Sequence, residues 1–469
     1  MHKKTPEITK IILEAAKVAR KETKGDPEPG LTNPVQWPVK CTVGPGLEGA
    51  IACESKIGYV NGSKGWLIYR GYDIFDLCAH SSFEEVSYLL LHGKLPTAYE
   101  LKKFKKELLQ GRRTRNTIGF LQNFPIEQMS TMSALRLGTN LLRQEFSYAD
   151  KKLYKFDEES IIGSDEDSIP METQPKGEKK AIYEFKKGEG LGVPEKKAKN
   201  LEHPVGYKAC YSLISGVASI AGVVARLREK QSPIKPDLKL SLAANLIYTM
   251  TGKRPTPIEE RIMDVSLILH ADHGMNASTF ATMVVASTLS DMYFAVGSGI
   301  AALNGPLHGG ANEQVIRMLE DIGKPEKVGV WYKKARAQKR KIMGFGHRVY
   351  KAYDPRARVL GPLAKYLIES KEDKKLNNLF AIAQKLEGEV VSTLGAKKKI
   401  FPNVDFYSGL VYSCLGIPSE MFTPIFAVSR VSGWTSRVME YIEHNRIFRP
   451  RAMYAGPFNK KYKSLDKRN

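Results

Sequence analysis

Four short blocks in the second half of the chain carry the side chains best suited to chemistry. Most of them include glycine, which allows backbone and ligand to approach closely. Two later arginines, Arg430 and Arg449, provide planar cations that suit carboxylates. Histidines, one isolated aspartate and several arginines together indicate proton abstraction from carbon beside a polyanionic substrate. The blocks are His270-Ala-Asp-His273-Gly-Met-Asn276-Ala-Ser278, Gly305-Pro-Leu-His308-Gly-Gly, Gly344-Phe-Gly-His347 followed by Asp354-Pro-Arg356, and Pro402-Asn-Val-Asp405.

Taken singly, the blocks leave alternatives open. Asp405 lies in an apolar setting, which favours a raised pKa and a role as a general base. The alternative is that it caps a helix beginning near Tyr407. His308 lies among glycines, where a histidine is either functional or a turn residue. His270 and His273 could bind a metal, but no third ligand at suitable spacing follows, and we predict no metal site.

The block around His347 is rich in basic residues and glycine, as many phosphate sites are. It lacks the spacing and the terminal Lys-Ser/Thr of a nucleotide-binding P-loop. The neighbouring cations make an anion site credible, and a solvated basic face explains them equally well. They are Lys339, Arg340, Lys341, Arg348 and Lys351.

The bulk composition restricts the class of protein. The net charge is +22, but the lysines are spread along the 469 residues and no nucleic-acid motif accompanies them. We therefore expect a solvated basic surface that attracts small anions, and no nucleic-acid partner. The five cysteines are scattered, which favours reduced thiols in a cytoplasmic protein. We see no run of about 18 apolar residues and expect no membrane span.

The elements that must position these blocks are predicted to be mostly α-helical. Two short β-like runs around Asn61-Gly62 predict a hairpin. Residues of about 147–203 form a charged segment poor in apolar residues, which is typical of a surface insertion. Apolar periodicity predicts helices at 5–23, 84–91, 127–142, 207–228, 238–250, 281–289, 293–303, 312–321, 330–340, 357–369, 376–395, 411–415 and 423–444.

In their order, the blocks resemble the citrate synthase family. The resemblance runs from about Gly46 to Gly456 and is interrupted by the insertion. It implies a mostly α, two-domain fold with a small N-terminal β-hairpin. The matching stretches are Gly46-Leu-Glu-Gly49, Tyr69-Arg-Gly-Tyr-Asp-Ile, Ala271-Asp-His-Gly-Met-Asn-Ala-Ser-Thr, Gly305-Pro-Leu-His-Gly-Gly-Ala-Asn-Glu, Gly344-Phe-Gly-His-Arg-Val-Tyr-Lys, Phe422-Thr-Pro-Ile-Phe-Ala and Arg449-Pro-Arg-Ala-x-Tyr-x-Gly456.

The resemblance implies a role for each matching residue. Asp405 corresponds to the base that removes the acetyl methyl proton of acetyl-CoA. His308 corresponds to the histidine that stabilises the resulting enol or enolate, and His347 to the one that polarises the ketone of oxaloacetate. Asn276 and Ser278 correspond to the pair that orients the first catalytic histidine. The residues corresponding to those that hold oxaloacetate are His273, Arg356, Arg430 and Arg449.

The resemblance also implies partners and domains. Coenzyme A enters as a thioester co-substrate, with no permanently bound cofactor, and Arg348, Lys351 and Lys397 fall where the family places cations for its phosphates. Arg449 reaches into the neighbouring subunit's site, which implies a homodimer. The large domain is expected at 1–305 plus 413–469, and a small mobile domain at 306–412.

The chain departs from the family pattern at three places, which leaves substrate choice open. Gln128-Met-Ser-Thr-Met-Ser stands where many bacterial relatives have His-Pro-Met, Ser436-Arg437 stands where Ala-His is frequent, and the insertion is additional. The alternatives are a 2-methylcitrate synthase acting on propionyl-CoA, a relative that cleaves citryl-CoA, and a catalytically silent homologue that binds anionic partners. One methylene in an apolar pocket discriminates by only about 1–3 kcal/mol.

Overall fold

In a computed structural model, which describes residues 5–22, 36–111, 114–150 and 205–468, the chain is built almost entirely of α-helices. The predicted mostly α fold is confirmed. The predicted insertion falls almost wholly outside the described residues. The helices are α1 (Pro6–Glu22), α2 (Ile74–His80), α3 (Phe83–His92), α4 (Ala98–Gln110), α5 (Arg115–Gln122), α6 (Thr131–Asp150), α7 (Val205–Arg228), α8 (Leu242–Thr251), α9 (Pro257–His270), α10 (Ala277–Ser287), α11 (Met292–Leu303), α12 (Ala311–Ile322), α13 (Val328–Ala337), α14 (Pro355–Glu369), α15 (Lys374–Val390), α16 (Ala396–Lys398), α17 (Val404–Cys414) and α18 (Phe422–Ile442).

The predicted hairpin is present and belongs to a three-stranded antiparallel sheet in the order β1 (Gly58–Asn61), β2 (Trp66–Tyr69), β3 (Tyr72–Asp73). The third strand has two residues, too few for an alternating pattern to reveal it. The Tyr69 side chain is buried, and its hydroxyl lies 2.8 Å from the Asp272 carbonyl oxygen. The sheet is therefore hydrogen-bonded to the turn that carries the first histidine block.

All four blocks lead into helix N-termini, and in three of them a side chain caps free backbone amides. The Asn276 side chain accepts from the Thr279 amide at the start of α10. Asp354 and Asn403 cap α14 and α17 in the same way. The short polar residues of the blocks thus set where each helix begins, and fix the neighbouring catalytic-type side chains in the process.

The core of the fold lies around α7 and α18. α18 contacts α3, α7, α9, α10 and α11, and its Trp434 is fully buried. Gly206–Arg228 has the length and mean hydropathy, 1.6, of a membrane span, so the expectation that no such segment exists was too broad. Because 89% of its most apolar window is buried among other helices, it is accounted for as a core helix.

Helices between residues 306 and 412 pack largely on one another. α17 contacts α12, α14 and α15, and α13 contacts α15. This group also touches α9 and α18, so packing alone does not draw the boundary at 306 or 412. The two-domain division stays a prediction.

The N-terminal helix α1 bridges the two helical groups. It packs on α2 and also on α14. Ile8 and Ile12 are fully buried in these contacts, and an Arg358–Glu22 ion pair joins the far end of α1 to α14. An apolar face at helical spacing therefore attaches α1 to both groups at once.

We expect Ile12→Ala to loosen α1, because deleting a buried branched side chain lowers stability by about 2–5 kcal/mol. Hydrogen exchange of the α1 amides should accelerate by about 30-fold or more. Lys17→Ala, on the exposed face of the same helix, is the matched control. Equal exchange in the two variants would contradict the proposed docking.

Candidate functional site

Residues from separate blocks converge on one site. The rings of His273 and His347 lie 5.2 Å apart, centroid to centroid. Tyr350 lies beside both: its hydroxyl is 3.2 Å from His273 Nε2, and its ring is 5.0 Å from that of His347. His273 is buried, and burial, together with the cation of Arg356, holds its pKa well below the usual range. His273 is therefore neutral at physiological pH.

His308 is held as a neutral imidazole with a defined tautomer. The Ser278 backbone amide donates to its Nε2 at 3.2 Å, and the Ser278 hydroxyl oxygen lies 2.8 Å from the same nitrogen. Because an amide N–H can only donate, Nε2 holds a lone pair and the proton lies on Nδ1. Burial, then the charge of Arg430, lowers the pKa of His308 to about 4. His308 thus presents a neutral Nδ1–H donor.

His347 has the opposite tautomer. Its Nδ1 accepts from the backbone amides of Val349 at 3.0 Å and Tyr350 at 3.2 Å. The proton therefore lies on Nε2. Burial, followed by the charge of Arg356, lowers the pKa of His347 to about 4. This ring presents a neutral Nε2–H donor.

Asp405 lies in the first turn of α17 and does not cap it. The helix begins at Val404, and the cap is Asn403, whose side chain accepts from the Asp405 amide at 3.0 Å. The alternative of a cap on a helix beginning near Tyr407 was wrong. In the described part of the chain, no hydrogen bond or ion pair engages the Asp405 carboxylate. Burial raises its pKa to about 6, against the opposing charge of Arg356.

The two buried arginines differ in how their charges are satisfied. Arg356 forms a buried bidentate pair with Asp354, Nε to Oδ1 at 3.0 Å and Nη2 to Oδ2 at 2.8 Å. One edge of this fork is therefore already occupied. Arg430 is equally buried and donates from Nε to the His270 carbonyl at 2.6 Å. Within the described residues it has no ion-pair partner, which makes it a ready anion site.

Burial also weakens the hold of the Arg430 guanidinium on its proton. It lowers the pKa of the guanidinium to about 10, against the attraction of Asp272. The Phe426 ring lies 4.7 Å from the guanidinium carbon and covers one face of it. A buried cation that no carboxylate contacts is stabilised most strongly when an anion binds to it.

Arg449 is not part of this cluster. It lies on the exposed segment that follows α18. The same segment exposes several large apolar side chains, which are Met453, Tyr454, Phe458, Tyr462 and Leu465. Among the described residues, no hydrogen bond or ion pair connects Arg449 with the other candidate residues.

The predicted phosphate-binding cations are exposed on the surface of the protein. Arg348 and Lys351 follow His347 directly, and Lys397 lies in α16. The Gly346 amide donates to the Phe401 carbonyl at 2.9 Å, which pairs the His347 loop with the strand-like segment leading to Asp405. All three are exposed, and their contacts within the described part of the chain assign them no ligand.

Several neighbours of the site were not identified from the sequence. Asp354 lies in a noted block, but its pairing with Arg356 requires the structure. Asp272 forms a buried ion pair with Arg437, 165 residues later. The sequence indicated only that Arg437 stands where relatives frequently have histidine. This difference predicts altered packing but does not identify Asp272 as the partner. Among the residues the structure describes, no group of three His, Cys, Asp or Glu side chains could hold a metal ion.

Comparison with known proteins places the chain in a family. The model of the citrate synthase C-terminal domain matches residues 46–451. Citrate synthase of Deinococcus radiodurans is 39% identical over 424 residues, covering 90% of this chain and 98% of that protein. Citrate synthase 2 of Bacillus subtilis is 36% identical, with 90% and 98% covered.

Solved structures agree. Citrate synthase from Pyrobaculum aerophilum matches with a TM-score of 0.74 and 36% identity, covering 93% of this chain and all of that one. The ternary complex of Thermoplasma acidophilum citrate synthase with carboxymethyl coenzyme A and oxaloacetate matches with a TM-score of 0.73 and 31% identity, covering 92% and 100%. The fold, the ordered blocks and these relatives agree: the chain is an enzyme of the citrate synthase family.

Proposed function

We propose that this enzyme condenses acetyl-CoA with oxaloacetate and water to give citrate and coenzyme A. One observation carries the proposal: His308 and His347 are neutral donors with opposite tautomers, while Asp405 is a carboxylate with a pKa of about 6 that no described residue hydrogen-bonds or pairs with. One base and two neutral acids are what enolisation of a thioester and attack on a ketone require. The sites of coenzyme A and oxaloacetate, and each residue's role, are parts of this proposal.

Oxaloacetate is proposed to bind first, on the cationic side of the site. Arg430, which has no ion-pair partner in the part of the chain that the structure describes, takes one carboxylate, while the free edge of Arg356 takes the other. His273 and the Nε2–H of His347 face the ketone. The Thermoplasma complex holds oxaloacetate together with a coenzyme A derivative, which supports a site that binds both at once.

Carbon–carbon bond formation then follows from the two histidines. Asp405 removes a proton from the acetyl methyl group, and the Nδ1–H of His308 hydrogen-bonds to the thioester oxygen as charge develops there. The enolate carbon attacks the ketone carbon while the Nε2–H of His347 hydrogen-bonds to the forming alkoxide, and that oxygen then takes up the proton that Asp405 removed. Water then cleaves the thioester of the resulting citryl-CoA, which releases citrate and coenzyme A.

The surroundings of the reacting atoms complete the proposal. Arg348, Lys351 and Lys397 take the coenzyme A phosphates, and the partner's copy of the chain supplies Arg449 as a third arginine for oxaloacetate. Closure of 306–412 over oxaloacetate excludes water until the bond has formed. We infer a homodimer, because Arg449 corresponds to a residue that the family shares between subunits, and a cytoplasmic location, because the five cysteines are free thiols.

We expect Ser278→Ala to lower kcat by about 10-fold while leaving the KM for oxaloacetate unchanged. The hydroxyl lies 2.8 Å from the lone pair of His308 Nε2, to which it can donate its single proton, and 2.7 Å from Asn276 Oδ1 as the alternative acceptor, so its loss frees the ring to rotate. The backbone amide of residue 278 remains, which preserves the tautomer and limits the effect. Ser298→Ala, on α11, is the control, and equal kcat in the two variants would contradict the orienting role.

Substrate choice is tested by release of coenzyme A, followed with a thiol reagent, from acetyl-CoA and from propionyl-CoA. Faster release from acetyl-CoA, strictly dependent on oxaloacetate, is the expected result. Faster release from propionyl-CoA would reassign the enzyme to 2-methylcitrate formation. Release from neither would overturn the proposed activity in favour of a silent homologue.

A further inference from the structure

A buried ion pair lies directly behind the substrate-binding residues. Arg437 binds Asp272 in a bidentate manner, Nε to Oδ1 at 2.7 Å and Nη2 to Oδ2 at 2.8 Å. The remaining guanidinium nitrogen donates to Ser55 Oγ at 3.1 Å. Asp272 is 0% exposed and Arg437 4%. The mechanism above does not use either residue.

Packing allows the pair little freedom. A Cβ added at Gly58 would lie 2.6 Å from Asp272 Oδ2, and one at Gly433 would lie 3.1 Å from Asp272 Cβ. The Gly274 amide donates to the Asp272 carboxylate at 3.1 Å, and the Tyr69 hydroxyl accepts from the Asp272 amide at 3.1 Å. The carboxylate next to His273 is therefore held from several sides.

The charge of Asp272 bears on the substrate site. Of the carboxylates that act on Arg430, Asp272 exerts the strongest attraction, yet the two form no ion pair. Burial alone would raise the pKa of Asp272, but the charge and hydrogen bonds of Arg437, together with the charge of Arg430 and the Gly274 amide, hold it below the usual value. Asp272 is therefore ionised, and Arg437 cancels a negative charge that would otherwise face a dianionic ligand.

We propose that Arg437 is a positioning residue: by neutralising Asp272 it leaves Arg430 available for a carboxylate of the substrate. The inference rests on the proposed function, because it takes oxaloacetate as the anion at Arg430. An unpaired Asp272 would compete for Arg430 and repel the dianion, without any change in the reacting groups. Arg437 thus affects binding of the ketoacid more than the chemical step.

The test compares Arg437→Gln, Asp272→Asn and the combined variant in oxaloacetate titrations of coenzyme A release. Arg437→Gln should raise the KM for oxaloacetate about 10-fold or more, with kcat changed by less than about 3-fold. Asp272→Asn removes the negative charge and should leave this KM equal or lower. The combined variant restores the net charge, and its KM should return to within about 3-fold of the original.

A purely structural role predicts a different pattern, in which every disruption of the pair impairs the enzyme alike. Arg437→Lys keeps the charge but loses the bidentate contact, and we expect a KM close to that of the unmodified enzyme. An unchanged KM in Arg437→Gln, or an equal rise in Asp272→Asn, would overturn the inference. If Arg437→Gln fails to fold, a 10-fold rise in the KM for oxaloacetate in either Asp272→Asn or the combined variant would overturn the inference.

Failure of this inference is distinguishable from failure of the proposed function. One outcome is that the unmodified enzyme releases coenzyme A in an oxaloacetate-dependent manner while the KM values of the variants do not follow the charges at positions 272 and 437. In that case only the role of Arg437 is wrong. If the unmodified enzyme shows no such release, the proposed function itself is wrong. Thermal unfolding of every variant accompanies the kinetics.

Discussion

Asp405→Asn should lower kcat about 1,000-fold while oxaloacetate binds almost as before. Asparagine has nearly the same shape but cannot accept a proton from carbon. The α17 cap is retained, because it comes from Asn403. Coenzyme A release measures the loss, and calorimetric titration with oxaloacetate measures the binding that remains.

Asp373→Asn is the matched control for this experiment. Asp373 is an exposed carboxylate at the start of α15, where its side chain caps the helix. Asparagine is an equally good cap, so stability and turnover should both be retained. Turnover by Asp405→Asn within tenfold of this control would show that another group removes the proton.

The raised pKa of Asp405 predicts two opposite pH effects. Asp405 acts as a base only when ionised, so kcat/KM should fall as the pH drops below about 6. Stability behaves in the reverse sense: because the folded protein holds this proton more tightly than the unfolded chain, raising the pH from about 4 to 6 removes stability. At neutral pH, Asp405→Asn should therefore unfold at a higher temperature than the unmodified enzyme.

Arg430→Gln should raise the KM for oxaloacetate about 100-fold, since losing one partner of a buried charge contact costs about 2–5 kcal/mol. The guanidinium is buried and has no ion-pair partner among the described residues, so a ligand carboxylate is its best available contact. Glutamine can donate only a neutral hydrogen bond. Oxaloacetate titrations and direct calorimetric binding measure the effect.

Two further variants sharpen this prediction. Arg430→Lys keeps the charge without the planar fork and should recover part of the affinity. Arg254→Gln removes an arginine that pairs with Asp237 away from the site and should leave the KM unchanged. A KM for Arg430→Gln within threefold of that control would remove Arg430 from the proposed oxaloacetate site.

The helical architecture was largely accessible from the sequence, because apolar residues at helical spacing define buried faces directly. The prediction for 5–23 matches α1 to within one residue at each end, and that for 423–444 matches α18 to within two. The prediction at 411–415 was poor, since α17 begins at Val404. Its first turn contains Asp405 and follows Pro402-Asn403, so apolar spacing alone did not reveal the start.

The candidate residues could be named from the sequence, but their protonation states could not. Which nitrogen of His308 carries the proton depends on the Ser278 amide, 30 residues away in the chain. The same holds for the charge of Asp272, which depends on Arg437 and is set by contact in the folded protein. Local pattern identifies the residue types, whereas through-space contacts decide what each one can donate or accept.

The central claim is tested most directly by the fate of the methyl carbon of acetyl-CoA. The enzyme is given oxaloacetate and acetyl-CoA isotope-labelled in its methyl carbon, and the products are identified by nuclear magnetic resonance. We predict the label in a methylene group of citrate, in equal amount to the coenzyme A released. Label recovered as acetate, or release of coenzyme A without oxaloacetate, would contradict the account.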